Sequence, residues 1–160
     1  MRLFRSKWSA ATIGVAVIGT FATVAVASMP TNFTATTLVT ATLANDVHLN
    51  SDKVKFQTKD PTDVRVQKIV VTAFGSSGWH HHPGVVIVAV LTGSVTVWRS
   101  DCSKTTYGPG LPNGSVFTEA GDEAGQVNGG PDGATTYATL IAPHADPPVF
   151  RIEDSPPPCA

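Results

Sequence analysis

Beyond residue 53 the apolar positions of the chain fall into short runs with strand spacing. Val64 to Val71 begins by alternating with polar residues and ends apolar. Val85 to Leu91, VVIVAVL, is an unbroken apolar run rich in β-branched residues. Such a run predicts a strand buried on both faces or nearly so. Thr92-Gly93 reads as a turn and Ser94 to Trp98 alternates again, so the two runs are expected to form a hairpin. Arg99 to Pro112 is polar and is expected as a long loop. Further short strands are expected at 115–118, 123–127, 135–141 and 149–152. Between them stand turn signals at Gly121-Asp122, Asn128 to Gly133 and Pro143 to Pro148. No stretch after the first 27 residues carries helical spacing. Many short strands punctuated by Gly and Pro predict an all-β sandwich or barrel.

The start of the chain has a different pattern. Arg2, Arg5 and Lys7 precede Ser9 to Ala27, which contains no charge and ends in Ala25-Val26-Ala27. A basic stretch, an apolar stretch and small residues in A-x-A order predict a secretory signal peptide, residues 1–27, cleaved after Ala27. The competing expectation is an uncleaved anchor, since the run is about as long as the roughly 20 residues that span a bilayer. Residues 28–53 are Thr- and Ala-rich at first and read as a linker or a loosely attached segment. The β-domain is then expected over 54–154, followed by a Pro-rich tail, 155–160.

Charge narrows the partners. Eleven basic residues against twelve acidic ones give a net charge of −1. The leader holds three of the basic residues and none of the acidic ones, so the remainder has eight against twelve, a net charge of −4. That argues against nucleic acid, and against a membrane unless the leader is retained. The two cysteines, Cys102 and Cys159, both follow the leader. In an exported protein this predicts a disulfide tying the tail to the middle of the domain.

The candidate chemistry lies in GSSGWHHHPG, residues 75–84, which holds three of the five histidines. On an extended chain alternate side chains share a face, so His80 and His82 point one way and His81 the other. Two imidazoles so placed can bind one metal ion if further ligands come from elsewhere.

The stretch GSSGWHHHPGVVIVAVLTGSVTVW resembles the first motif of the cupin superfamily, with Gly75, His80, His82 and Gly93 at matching positions. Gly114 to Asn128 is similar to the second motif, with Asn128 where that motif ends. The resemblance covers about Asp63 to Ile152. It implies a double-stranded β-helix, a small jelly-roll barrel whose mouth holds a divalent metal on three His and one Glu. Members of the superfamily include oxygenases, isomerases and decarboxylases, and also non-catalytic binding and storage proteins. His80 and His82 match the first two ligands. The motif's Glu falls at Val86 or Ile87, and its last His at Ala124, none of which can ligate. Asp122 or Glu123 are the candidates for a third ligand, with Glu119 a further carboxylate within reach.

Three functions stay open at this point. One is a secreted cupin-like barrel that binds a small molecule, with a partial metal site at His80 and His82. Another is a metal-dependent enzyme of dioxygenase or isomerase type with a rearranged ligand set. The last is a non-catalytic structural or interaction module.

Overall fold

The computed structural model describes residues 27–158. The expected signal peptide lies outside the described residues, apart from Ala27, and so does Cys159. There is no helix among the described residues, and so none long and apolar enough to cross a membrane.

Ten strands form: β1 (Thr31–Leu43), β2 (His48–Ser51), β3 (Val54–Gln57), β4 (Thr62–Ser76), β5 (His80–His81), β6 (Val85–Arg99), β7 (Lys104–Tyr107), β8 (Val116–Ala120), β9 (Gly125–Pro143) and β10 (Ile152–Glu153). All but β2 and β3 join one antiparallel sheet. Its spine is β1-β4-β9-β6-β8, with β7 also on β6, and β5 linking the start of β9 to β10. The β2–β3 hairpin stands apart from it. The sheet curls, and its concave face carries the core: Val71, Val86, Val88, Val90, Val95, Phe117, Ala138 and Leu140 are all buried.

The all-β expectation holds, but four sequence-based details are corrected. First, residues 31–43 are no linker. They form β1 and pair with β4 from Thr31↔Ser76 to Leu43↔Thr62. Thr is β-branched and fits a half-solvated strand. An uncharged Thr/Ala run therefore serves as an edge strand, although its weak hydrophobicity reads as a loose segment.

Second, Val85–Leu91 and Ser94–Trp98 are not a hairpin. Both halves of β6 pair antiparallel with β9, so the chain does not reverse between them. Thr92-Gly93 instead sits at a break in register. Gly93 has φ +71°, and a Cβ there would lie 2.0 Å from the Gly133 carbonyl oxygen, so this close crossing requires glycine.

Third, Asn128 to Gly133 is not a turn between strands but an excursion inside β9. Gly93 faces Ala134 while Val95 faces Gly129, so the intervening residues bulge out of the ladder. β4 breaks at the same level, between Val71 and Ser76. Bulges bend strands and increase their twist. Three adjacent strands breaking together let one set of long strands turn a corner where the sequence suggests several short ones.

Fourth, the apolar run of β6 is covered on one face only. Val86, Val88 and Val90 are buried, whereas Val85, Ile87 and Leu91 are exposed. Small differences complete the comparison: the expected loop after Arg99 contains β7, and the last strand shortens to β10.

Candidate metal centre

The concave face opens into a cavity of about 400 Å³. Its floor is apolar, from Val86, Val88, Ala138 and Leu140. The segment after β9 closes over it, with Pro148, Val149, Phe150 and Arg151 in the lining. His80, His82 and Glu119 stand together at one end. The register explains how they meet. Glu119 on β8 lies directly across from Val86 on β6. His80 opens β5 and pairs with Gly125, the first residue of β9.

The alternation inferred from H-H-H is observed. His80 and His82 are buried, their rings 4.9 Å apart and nearly perpendicular at 85°. His81 points away and its Nδ1 lies 2.7 Å from Asp154. Trp79 is buried beside the pair, and its backbone N–H donates to the Ser28 hydroxyl at 2.5 Å.

Each imidazole of the pair is fixed by a backbone carbonyl. His80 Nδ1 is 2.9 Å from the Gly78 oxygen and His82 Nδ1 is 2.6 Å from the Phe150 oxygen. A carbonyl only accepts, so both Nδ1 atoms carry a proton, and each Nε2 presents a lone pair when its ring is neutral and a second N–H when the ring is charged. His82 Nε2 then faces the Glu119 carboxylate at 3.4 Å. Burial and the charge of Arg151 push His80 down to about 4, although the Gly78 carbonyl opposes the shift. His80 is therefore neutral near pH 7 and free to ligate. Burial pushes Glu119 up, but the hydrogen bond and charge of His82, with His80 and Arg99, outweigh it. The carboxyl consequently lies below its usual range.

Three lone-pair donors thus converge in a nearly buried place, where an unpaired carboxylate costs several kcal/mol. Only a proton or a cation between them relieves that. One ligand atom from each residue lies within 4.8 Å of the others. Ligands of one metal ion at about 2.1 Å stand roughly 3 to 3.5 Å apart, so small side-chain rotations close the set. Two His and one carboxylate are the donors that suit a first-row divalent ion with open positions. The residues present therefore fit a metal ion.

The carboxylate nearest the two histidines is Glu119, not Asp122 or Glu123. Asp122 sits in the exposed turn after β8. Glu123 pairs with Arg99 at 3.4 Å on the surface. Glu119 carries a signal that the sequence offers: it shares strand parity with Phe117, so an acid stands on the apolar face of β8. Ala124 offers no ligand atom, and the next residue, Gly125, carries no side chain. A Cβ built on Gly125 would lie 3.8 Å from Glu119 Oε1 and 3.2 Å from the Trp98 carbonyl oxygen. The second-motif side of the site thus ends in a residue without a side chain. His144 lies elsewhere, with Nδ1 2.9 Å from buried Asp63. Cys102 follows β6 in a turn with φ +71°. The Cys102–Cys159 pairing involves a residue outside the described range.

No protein-family model and no curated protein matches the chain. Solved structures similar to it include a conserved protein of unknown function from Streptococcus pyogenes, at TM-score 0.48 and 13% identity, covering 71% of this chain and 76% of that one. Oxalate decarboxylase from Bacillus subtilis is similar at TM-score 0.47 and 10% identity, over 56% of this chain and 23% of that one. Salicylate 1,2-dioxygenase from Pseudaminobacter salicylatoxidans is similar at TM-score 0.40 and 13% identity, over 48% of this chain and 20% of that one. The chain therefore spans less than a quarter of either enzyme. Its own architecture, a curled antiparallel sheet with an H-x-H pair and a carboxylate on the concave side, agrees with the all-β fold that the sequence resemblance implies.

Proposed function

We propose that the protein holds one divalent cation on His80, His82 and Glu119 and receives a small molecule in the adjoining cavity. The observation that carries this is the convergence of three donors, two of them with Nδ1 already committed to the backbone, at one end of an apolar cavity. The partial site suggested by the first motif becomes a three-donor set once Glu119 joins it. A bound cation would supply Lewis acidity, and redox chemistry if it were iron, manganese or copper. The chain's own part is to orient the imidazoles, to keep His80 neutral and to exclude water with the segment over the cavity.

The test is metal analysis of the purified protein after dialysis, with calorimetric titration of zinc and manganese. One ion per chain is expected, and none in the His80→Ala/His82→Ala double variant. Loading retained in that variant overturns the proposal.

A metal-dependent enzyme of dioxygenase or isomerase type is the second reading, favoured by the 2-His-1-carboxylate donor set. The structural-module reading would gain from a concave face filled by side chains, and the cavity that reaches His80 works against it. Export through cleavage after Ala27, with a Cys102–Cys159 disulfide, belongs to the same proposal. Intact-mass measurement of the exported protein with and without reductant tests both points.

A further inference from the structure

We infer that the cavity selects a small amphipathic carboxylic acid, with Arg65 as the residue that binds its acid group. The inference rests on the proposed use of the cavity as a ligand site and adds the class of ligand.

The register lays one row of side chains across the concave face. Thr40 of β1 pairs with Arg65 of β4, Arg65 with Leu140 of β9, Leu140 with Val86 of β6, and Val86 with Glu119 of β8. Arg65 and Glu119 therefore face the same cavity from opposite sides, three strand steps or about 14 Å apart along the sheet. Only Leu140 and Val86 lie between them on this row. The next row repeats the pattern, with Gln67, Ala138, Val88 and Phe117 in order. One wall is thus polar and cationic, the middle is apolar, and the far wall carries the histidines and the carboxylate.

Two arginines line the cavity, and they differ in what they already hold. Arg151 already has an ion-pair partner in Glu153, with contacts of 2.5 and 2.8 Å, and donates to the Ser77 carbonyl oxygen at 2.6 Å. Arg65 is set in place without being neutralised. Its guanidinium lies 4.2 Å over the Phe150 ring, and its Nε donates to the Thr40 hydroxyl at 3.1 Å. No carboxylate among the described residues lies within ion-pairing distance of it. Its terminal nitrogens are left as a planar fork, the geometry that takes a carboxylate through two parallel hydrogen bonds. Gln67 stands beside it in the lining, held by the Thr37 hydroxyl at 3.2 Å, with its carbonyl oxygen and second N–H unspent. An oriented, half-buried cation at the rim of an apolar cavity favours a ligand with an anionic head and an apolar body.

The test uses the full chain in EDTA, so that an acid cannot bind by ligating a cation. Calorimetric titration compares 3-phenylpropanoate with 3-phenylpropanol, which differ only in the head group. The wild type should bind the acid about tenfold or more tightly than the alcohol. Arg65→Ala should remove that preference and leave the alcohol unaffected, while Arg65→Lys retains part of it. Equal affinity for acid and alcohol in the wild type overturns the inference, as does absence of binding by either. A preference that survives Arg65→Ala, with the fold verified by thermal melting, overturns it too. Zinc uptake is measured in parallel. Acid preference without zinc uptake supports the inference and removes only the metal reading. Zinc uptake without acid preference does the reverse.

Discussion

The two ends of the cavity are held by different means. At the His80–His82–Glu119 end the orienting partners are main-chain carbonyls of Gly78 and Phe150, and the side chains are nearly buried. At the Arg65–Gln67 end the partners are the hydroxyls of Thr40 and Thr37 on the edge strand β1, and the side chains are half-exposed. A backbone anchor in a packed core fixes an angle. A hydroxyl on an edge strand permits adjustment. The first suits coordination, whose geometry is exacting, and the second suits recognition of a ligand that arrives and leaves.

The largest expected effect breaks the metal end. Glu119→Ala or His82→Ala should lower zinc affinity by at least about 100-fold, since losing an outer-shell partner alone costs about 10- to 100-fold. The arginine-end variants should leave zinc affinity unchanged in the same titration. Stability gives the next contrast, on a single row of the sheet. Phe117→Ala, at a buried ring that packs 5.1 Å from Tyr107, should cost about 3–5 kcal/mol. Gln67→Ala at the other end of that row should cost under about 1 kcal/mol. Urea denaturation monitored by tryptophan fluorescence checks both values. Smaller again, Thr40→Val should weaken binding of 3-phenylpropanoate by about two- to tenfold through loss of one hydrogen bond. Titration of the alcohol should not change.

The smallest effect concerns the clasp behind the arginine end. Asp63 is buried and accepts hydrogen bonds from Thr42 of β1, His144 and the Ala145 N–H. The Thr42 and His144 side chains hold its carboxyl below the ordinary 3.8, against the effect of burial. Its contribution to stability is therefore full above 3.8, the unfolded value, and is lost as the pH falls through the lower folded value. Melting temperature against pH should fall more steeply on the acid side for wild type than for Asp63→Asn. Parallel curves would remove Asp63 as an acid-sensitive tie.

The sequence makes the metal end half legible. His80 and His82 can be placed on one face because strand parity is a local property. Glu119 stands among the reachable carboxylates, but its selection depends on the pairing of β8 with β6, and the Val86↔Glu119 register is not local. The arginine end is harder to see, because Val64-Arg65-Val66 alternates as if the valines faced the core, whereas the register with β9 sets Arg65 on the face of Leu140. The glycines mislead for a physical reason. Gly93 and Gly133 both have positive φ, as turn glycines do, yet here that geometry serves a bulge in a strand that continues. Local sequence reports the backbone angle and not whether the chain reverses afterward.

Phe150 touches both ends of the cavity, through different parts of itself. Its carbonyl oxygen accepts from His82, and its ring lies beneath Arg65. The ring is buried in the core, so a volume-conserving exchange such as Phe150→Leu is the kind of substitution expected to alter the surface beneath Arg65 while the carbonyl keeps its bond to His82. A one-residue insertion or deletion between 148 and 152 has no such separation, because it shifts carbonyl and ring together. Variation that changes letters but conserves length is the route by which the surface beneath Arg65 can change while the His82 ring keeps its anchor.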